Sequence, residues 1–380
     1  MYSIVDHGLM IADGGRTAAY AAALKARITP GCVVLDIGTG TGIFALLACK
    51  YGAGRVYAVE PDNIIHVARE AARANGFADR IQFIQDFSNR ITLPEKVDGI
   101  VAEIHGALPQ YQGGASVFID ARERLLRPGG WMIPQRETMW ASLVDAPDIH
   151  SHYVDPWKVA DYGLDLDPFR RRAVNVWRSE RYDQKSLVVP PQCWAKLDYL
   201  TIQNPNSRGE LDWTIDETRD AHGIGIWFDS EEADGIGFSN SPFQERHVFG
   251  RAFFPWPAAL RLQPGDHVHV SLQANLTGPH YVWRWDTRVS SRAGVDTADF
   301  HQSSFYGSPV SPEQLGRRAK DYVPRLNSAG AIEHLILGRM TAGITLEAIA
   351  SEIADRFPES FANISQAMTR VAELSMKYSE

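Results

Sequence analysis

The pattern of apolar positions between Val33 and Gly130 predicts strands that alternate with helices. Short apolar runs such as "CVVLDIG" and "RVYAVEP" are separated by segments with apolar residues at helical spacing, such as "IFALLACKYG" and "IIHVAREAARANG". This alternation is typical of βαβ units, in which helices cover both faces of a parallel sheet. We therefore predict an α/β domain over residues 1–134.

The pattern changes after Trp131. Aromatic and β-branched runs such as "TMWASLV", "DHVHVSLQANL" and "YVWRWDTRV" are broken by Gly, Pro, Asn and Asp, which predicts an antiparallel β-barrel over residues 135–308. A segment at about 161–183 interrupts this domain and has a helical second half. From residue 309 to residue 380 the spacing is helical again, so we predict a separate small helical unit there.

Composition and charge remove several classes of protein. The 380 residues are 44% hydrophobic and 22% charged, and a net charge of -8 argues against nucleic acid as a partner. The three cysteines lie far apart without a CxxC pair, so we predict neither a metal site nor a disulfide framework. The amino terminus has no basic, apolar leader, and no run of 18 apolar residues occurs. We therefore expect a cytoplasmic protein that does not bind membranes.

A glycine turn follows the first predicted strand, in "VVLDIGTGTG". Its glycines are Gly38, Gly40 and Gly42, and Ile43 occupies the third glycine position of a dinucleotide fingerprint. Backbone amides of such a turn and the following helix terminus can hold a cofactor. The spacing alone leaves open which cofactor this is.

Two acidic residues favour S-adenosylmethionine over a dinucleotide. We expect Asp36, two residues before the first glycine, to lie near the ligand, where it would repel a pyrophosphate and attract an ammonium group. Glu60 ends the next strand, at the distance where an acidic residue accepts hydrogen bonds from ribose hydroxyls. S-adenosylmethionine has both an ammonium group and a ribose. We therefore predict S-adenosylmethionine as cofactor and S-adenosylhomocysteine as its product, on a Rossmann-like domain.

The segment "HGLMIADGGRTAAY" has the spacing H-x-x-M-x-x-D-x-x-R-T and precedes the glycine turn. It resembles the protein arginine methyltransferase family, and the resemblance covers about residues 1–307. It implies an amino-terminal helix that closes over the cofactor, with His7 and Met10 beside it and Arg16 holding the methionine carboxylate. The segment "IQDFSNRITLP" resembles the family's adenine-contacting segment, which implies contacts from Ser88 and Asn89.

The segment "DYGLDLDPFRRRAVNVW" resembles the dimerisation arm of this family. The resemblance implies a homodimer in which the arm of one subunit lies on the nucleotide domain of the other. The alternative is a helical insertion exposed to solvent.

The acceptor half departs from the family pattern at two places. Two glutamates of a hairpin grip the guanidinium in this family; Glu103 matches the first, but the second aligns with Gln112. One carboxylate and one amide suit a neutral amide or amine better than a guanidinium, because an amide both donates and accepts hydrogen bonds. His247 lies one position from the family's barrel histidine. It would receive the proton released on methylation or be a structural residue.

The last seventy residues resemble the PqqD-type domain, which captures leader peptides of ribosomally made natural products by strand addition. The alternative is a helical unit with a purely structural role. The first hypothesis is a peptide N-methyltransferase that acts on an Asn amide or Arg side chain of such a precursor peptide. The alternatives are a protein arginine N-methyltransferase, a methyltransferase of a small metabolite, and a cofactor-binding scaffold without activity.

Overall fold

The computed structural model describes residues 2–158, 162–244 and 247–379. The chain divides into two compact units, Met1–Ser308 and Pro309–Glu380. Among the described residues, no helix is both long enough and apolar enough to cross a membrane.

The first unit begins with two helices, α1 (Ile4–Ala12) and α2 (Gly14–Arg27), which meet at Asp13. A capping box starts α1, because the Ser3 hydroxyl accepts the Asp6 amide and the Asp6 carboxylate accepts the Ser3 amide. The α2 helix buries Tyr20 and Leu24. The α1 helix has no buried residue, so α2 is the helix of this pair that packs into the core.

A parallel α/β layer follows, as predicted. Its elements are β1 (Val33–Ile37), α3 (Ile43–Tyr51), β2 (Arg55–Val59), α4 (Ile65–Ala74), β3 (Ile81–Ile84), β4 (Val97–Ala102), α5 (Gly114–Arg124) and β5 (Leu126–Ile133). The sheet order is β3-β2-β1-β4-β5, with parallel pairing throughout. The order in which strands are added to the sheet therefore reverses between β1 and β4. In such sheets, ligands bind at the carboxyl ends of the strands that flank this point.

The rest of the first unit is mainly antiparallel. Its elements are β6 (Arg136–Val144), α6 (Pro147–Val154), α7 (Asp167–Ala173), β7 (Arg178–Glu180), β8 (Gln192–Asp198), β9 (Ser207–Thr214), β10 (Arg219–Ala233), β11 (Ile236–Ser239), β12 (Arg251–Leu262), β13 (His267–Thr277), β14 (His280–Ser290), β15 (Asp296–Ser303) and α8 (Ser304–Gly307). They form a sheet β7-β12-β10-β6-β8, with β11 on β10, and a second sheet β15-β14-β13-β9. In the described ranges no strand ladder joins these two sheets, so the predicted closed barrel is not confirmed.

One hydrophobic core is shared by the parallel and antiparallel layers. It contains residues of β1 together with Trp256, Trp283 and Trp285, each at most 1% exposed. Burying such large side chains contributes strongly to stability. The acceptor hairpin, which is the segment of residues 103–112 after β4, therefore lies beside a packed hydrophobic core.

The segment expected to be a dimerisation arm has two different halves. Asp161 lies outside the described residues, and the next part exposes Tyr162, Leu164 and Phe169 by 78%, 65% and 53%. The second half packs on its own chain, because Val174 is buried and β7 pairs with β12. Three large apolar side chains therefore stay exposed on this segment.

The second unit consists of α9 (Pro312–Gly316), α10 (Ser328–Thr341), α11 (Leu346–Arg356) and α12 (Ile364–Tyr378). It has a small core of its own, to which Ile336, Ile349, Ile353 and Val371 contribute fully buried side chains. The predicted helical character is present. The winged-helix expectation is not confirmed, because residues 309–379 contain no strand.

Candidate active site

A cavity of about 320 Å3 lies at the carboxyl ends of β1, β2 and β4, where the sheet order predicts a ligand. Its walls come from α1, the glycine turn, the end of β2 and the hairpin after β4. The residues that line the cavity include Tyr2, His7, Met10, Arg16, Gly38, Gly40, Glu60, Ser88, Glu103, His105, Tyr111 and Gln112. Predicted cofactor and acceptor residues thus share one cavity.

The glycine turn needs glycine because neighbouring side chains approach it closely. Gly38 and Gly40 have φ of 70° and 53°, in the left-handed region that other residues rarely adopt. A Cβ on Gly38 would lie 2.9 Å from the Ile104 side chain, and one on Gly40 would lie 3.1 Å from the His7 ring. The turn therefore lets both α1 and the acceptor hairpin close over the same space.

Glu60 fixes the second edge of the cavity. One carboxylate oxygen accepts the Gly40 amide at 3.1 Å, and the other accepts the Asp62 amide at 3.0 Å. The side chain is therefore held at the cavity as a hydrogen-bond acceptor, in agreement with the predicted ribose role.

Asp36 is not where the sequence argument put it. Its side chain is fully buried beneath the turn and does not line the cavity. One carboxylate oxygen accepts the Thr39 hydroxyl at 2.5 Å and the Ala45 amide at 3.0 Å. Burial raises the pKa of Asp36 to about 7, although these two hydrogen bonds act in the opposite direction. Asp36 therefore shapes the turn and the start of α3, and its buried position does not support the expected contact with the cofactor.

The remaining predicted cofactor residues divide between the cavity and the surface. His7 and Met10 line the cavity from α1, and Ser88 lines it from the loop after β3. Asn89, in contrast, is exposed and is not part of the cavity wall. The adenine contact expected of Asn89 is therefore not supported by its position.

Arg16 connects the cofactor side of the cavity with the acceptor side. Its guanidinium is 2.6 Å from Glu103 Oε2, donates to the Met10 carbonyl oxygen, and lies 5.7 Å from the centre of the Phe249 ring. The side chain is only 2% exposed. A buried cation at a cavity wall can hold a carboxylate, which agrees with the role that the resemblance implies.

His247 does not line the cavity, so the predicted proton-accepting role is not supported. Its Nδ1 is 2.8 Å from one oxygen of Asp13, while the other oxygen accepts the Val248 amide at 2.8 Å. The ring also lies against Gly15, at the start of α2. His247 therefore fastens the junction of α1 and α2 to the antiparallel layer.

The acceptor hairpin starts directly after β4. Glu103 follows the last residue of β4, and its side chain is 12% exposed in the cavity. Gln112 is exposed at the other end of the hairpin, where its amide donates to the Tyr111 hydroxyl at 3.0 Å. Gln112 has a φ of 40° and is followed by two glycines with positive φ. The structure thus brings Glu103 and Gln112 to the same cavity.

Sequence reasoning missed His105, which lies behind Glu103. Its Nε2 is 2.7 Å from Glu137 Oε1, and its Nδ1 is 3.7 Å from Glu103 Oε1. Both contacts have ion-pair distances without the alignment of hydrogen bonds. Burial alone would lower the pKa of His105, but the charge of Glu137 and the contact with Glu103 raise it to about 10. The two carboxylates therefore favour the imidazolium form of His105.

Two further polar side chains complete this buried group. The Tyr199 hydroxyl donates to Glu137, which is fully buried on β6. Glu232, on β10, accepts the Ser230 hydroxyl at 2.7 Å, and burial raises its pKa to about 8. Glu232 is therefore mainly uncharged at pH 7.

Within the described ranges, no cluster of three or more His, Cys, Asp or Glu residues could hold a metal ion.

The first comparison with known proteins concerns the parallel α/β layer. Residues 15–133 match the family described as Ribosomal protein L11 methyltransferase (PrmA). This range contains the glycine turn, Glu60 and the acceptor hairpin. The class is that of S-adenosylmethionine-dependent methyltransferases, which confirms the predicted enzyme class and cofactor.

Two relatives and one solved structure are similar to this chain, and the first of them shows the family. Protein arginine N-methyltransferase 1 of Schizosaccharomyces pombe is 30% identical over 277 residues, which are 70% of this chain and 80% of that protein. Probable protein arginine N-methyltransferase 6 of Arabidopsis thaliana is 30% identical over 238 residues, 59% of this chain, but the chain spans only 54% of its length. The solved Trypanosoma brucei PRMT1 enzyme-prozyme heterotetrameric complex with AdoHcy has a TM-score of 0.70 at 22% identity, covering 78% of this chain and 96% of that chain. The chain belongs to the protein arginine N-methyltransferase family.

Proposed function

We propose that this chain transfers the methyl group of S-adenosylmethionine to a side-chain nitrogen of a protein or peptide. The observation that carries the proposal is the cavity in which Glu103 and Gln112 face the same space as the glycine turn and Glu60. Methyl transfer is an in-line displacement, so it depends on close positioning of donor and acceptor. One cavity with both groups of residues meets that requirement.

The residues at the cavity fit the cofactor. Glu60 offers carboxylate oxygens for the ribose, Arg16 offers a buried cation for the methionine carboxylate, and His7 and Met10 form the α1 side. When bound, the cofactor supplies a methyl group on a sulfonium. Gly38 and Gly40 leave the space that a Cβ would fill.

Glu103 is proposed to accept a hydrogen bond from the acceptor nitrogen and to direct its lone pair toward the methyl group. The acceptor gives up one proton for each methyl group that it gains, so a base must be near. Glu103 is the carboxylate placed for this, since its side chain is partly open to the cavity.

Two acceptors are candidates, and arginine is one of them because it is the acceptor in the names of the relatives. A neutral side-chain amide is the second, and Gln112 is the observation that favours it. An amide at this position offers a guanidinium no second carboxylate, whereas it pairs with another amide through both a donor and an acceptor. A natural-product precursor peptide has less support, because the carboxyl-terminal unit has no described strand to which a leader peptide could add.

The proposal is tested with methyl-labelled S-adenosylmethionine and paired peptides that differ only in Arg against Asn. Mass spectrometry should locate a methyl group on the varied side chain. The Glu103→Gln variant should bind cofactor but lose at least about a hundredfold in rate. Cofactor binding without transfer to any polypeptide would contradict the proposal and favour a scaffold role.

We also propose a homodimer that uses the exposed part of the arm. Tyr162, Leu164 and Phe169 form a group of exposed apolar residues, which is typical of an interaction surface. Changing Tyr162 and Leu164 to Ser should lower the mass measured by light scattering from dimer to monomer. Tyr306→Ser, at another residue that is 61% exposed, is the matched control. A monomeric unmodified chain would refute the dimer.

A further inference from the structure

The single carboxylate of the acceptor hairpin already faces two cations. Arg16 lies 2.6 Å from Glu103 Oε2, and the His105 ring lies 3.7 Å from Glu103 Oε1. Both cationic side chains are at most 2% exposed, so water screens their charges poorly. A guanidinium acceptor would be the third cation on one carboxylate.

The two carboxylates beside the His105 ring favour its positively charged form. Each ring nitrogen faces a carboxylate oxygen, Glu137 at one and Glu103 at the other. A neutral imidazole carries only one N–H and would present a lone pair to one of these oxygens. The imidazolium presents an N–H to both, so it is the form that suits this environment.

Among the described residues, the aromatic side chains that contact the His105 ring add no negative charge. Phe228 of β10 and Phe249 near β12 contact the ring at centroid distances of 5.6 and 6.5 Å, and both are uncharged. Glu232 of β10 is mainly protonated at neutral pH, as described above. The described charges Arg16, Glu103, His105 and Glu137 therefore alternate in sign and sum to zero.

We propose that His105 is a specificity-determining residue that makes this site select an uncharged acceptor nitrogen, such as a side-chain amide, over a guanidinium. The inference rests on the proposed function, since it concerns the nitrogen that enters the same cavity. A guanidinium would add an uncompensated charge within a few ångströms of the buried imidazolium. A neutral amide avoids this repulsion and can hydrogen-bond both Glu103 and Gln112.

Methyl transfer to an amide nitrogen breaks one bond, forms another and releases one proton. The bond between the methyl carbon and sulfur breaks, and its electron pair stays on sulfur as the thioether of S-adenosylhomocysteine. The nitrogen lone pair forms the new carbon–nitrogen bond, and one amide proton passes to the Glu103 carboxylate and from there to water. His105 keeps its protons throughout and acts only through its charge.

Two matched probes test the charge preference without knowledge of the natural substrate. Each is 5′-deoxyadenosine joined through its 5′ carbon to a short alkyl chain, which ends in a guanidine in one probe and in a urea in the other. The two ends have nearly the same shape and differ in charge. Their dissociation constants are measured by calorimetry for the full-length protein, with S-adenosylhomocysteine as competitor.

We expect the unmodified protein to bind the urea probe at least about tenfold more tightly than the guanidine probe. His105→Gln removes the positive charge and keeps a hydrogen-bond donor, so the preference should fall to about twofold or less. His150→Gln is the matched control, because His150 is also buried but contacts the Trp256 carbonyl oxygen outside the cavity. This control should keep the unmodified ratio.

Glu137→Gln is a second informative variant, because it removes the anion that holds His105 in its charged form and should therefore also lower the preference for the urea probe. If His105→Gln does not fold, the double variant His105→Gln, Glu137→Gln removes the pair of charges together and should also lower the preference. A ratio that stays the same when His105 loses its charge, or tighter guanidine binding by the unmodified protein, would overturn the inference. If S-adenosylhomocysteine displaces neither probe, the proposed function itself fails, and the inference fails with it.

Discussion

Asp13→Asn tests whether the junction of α1 and α2 controls cofactor binding. The Asp13 side chain is 8% exposed, and its two oxygens contact His247 Nδ1 and the Val248 amide, each at 2.8 Å. Asn keeps one oxygen, which can accept the Val248 amide, but it replaces the charged oxygen that faces His247 Nδ1 with an NH2 group. Losing a hydrogen bond to a charged group costs about 1.5–3 kcal/mol. This destabilises the docked position of α1 by about tenfold to a hundredfold.

Cofactor affinity should fall by up to the same factor, because His7 and Met10 reach the cavity only when α1 is docked. Calorimetry with S-adenosylhomocysteine measures the affinity, and hydrogen exchange of residues 4–12 measures the docking. Asp6→Asn is the control, since it also removes a carboxylate from α1 but affects only the Ser3 cap. Unchanged affinity together with unchanged exchange in Asp13→Asn would refute the reasoning.

Three further predictions concern the turn and the hairpin. Asp36→Asn should change cofactor affinity by less than about threefold, because Asp36 lies beneath the turn. Since the folded pKa of about 7 is above the unfolded value, Asp36 lowers stability as pH rises from about 4 to about 7; thermal unfolding of the Asn variant should show a smaller decrease over this window. Gly40→Ala should weaken cofactor binding at least about tenfold in calorimetry, because φ is 53° and the new Cβ would meet His7. Gln112→Glu should raise kcat/KM for the Arg peptide at least about fivefold, because it adds a second carboxylate.

The cofactor half could be predicted because its signals are local. A strand, a glycine turn and a helix follow one another in the chain, so Gly38 and Gly40 lie at the cavity wherever this unit forms. Glu60 ends the neighbouring strand and therefore reaches the same edge. Asp36 was misplaced because sequence position at the end of a strand does not tell which side of the turn a side chain faces.

The acceptor half depends on contacts between distant parts of the chain. His105 and Glu137 come from the acceptor hairpin and from β6, and no spacing in the sequence connects them. One signal was present. Glu137 alternates with Met139, Ala141 and Leu143, all buried, so the pattern placed a charged residue at an inward-facing position of β6. An inward glutamate needs a buried partner, and a histidine two residues after Glu103 was a candidate.

His247 lies one position from the family's barrel histidine, and it does not reach the cavity where we expected it to accept a proton. The sequence places a histidine one residue from the aligned position and suggested chemistry in the cavity. In the structure the ring meets Asp13, because His247 and Val248 lie at the junction of α1 and α2. The sequence shows that a histidine is present near the family position. It does not show that the ring pairs with Asp13, because the two residues are far apart in the chain.

The cofactor side and the acceptor side of the cavity differ in how freely their charged residues can be exchanged. Arg16 must stay cationic to serve a methionine carboxylate, so Glu103 cannot lose this neighbour. The charge available to an acceptor is then set by what else contacts Glu103 and by the residue at position 112. Here both positions make the site less negative, since His105 adds a cation and Gln112 replaces an anion. Because buried charges are costly unless paired, these two residues together support the proposed preference for an acceptor that brings no charge of its own.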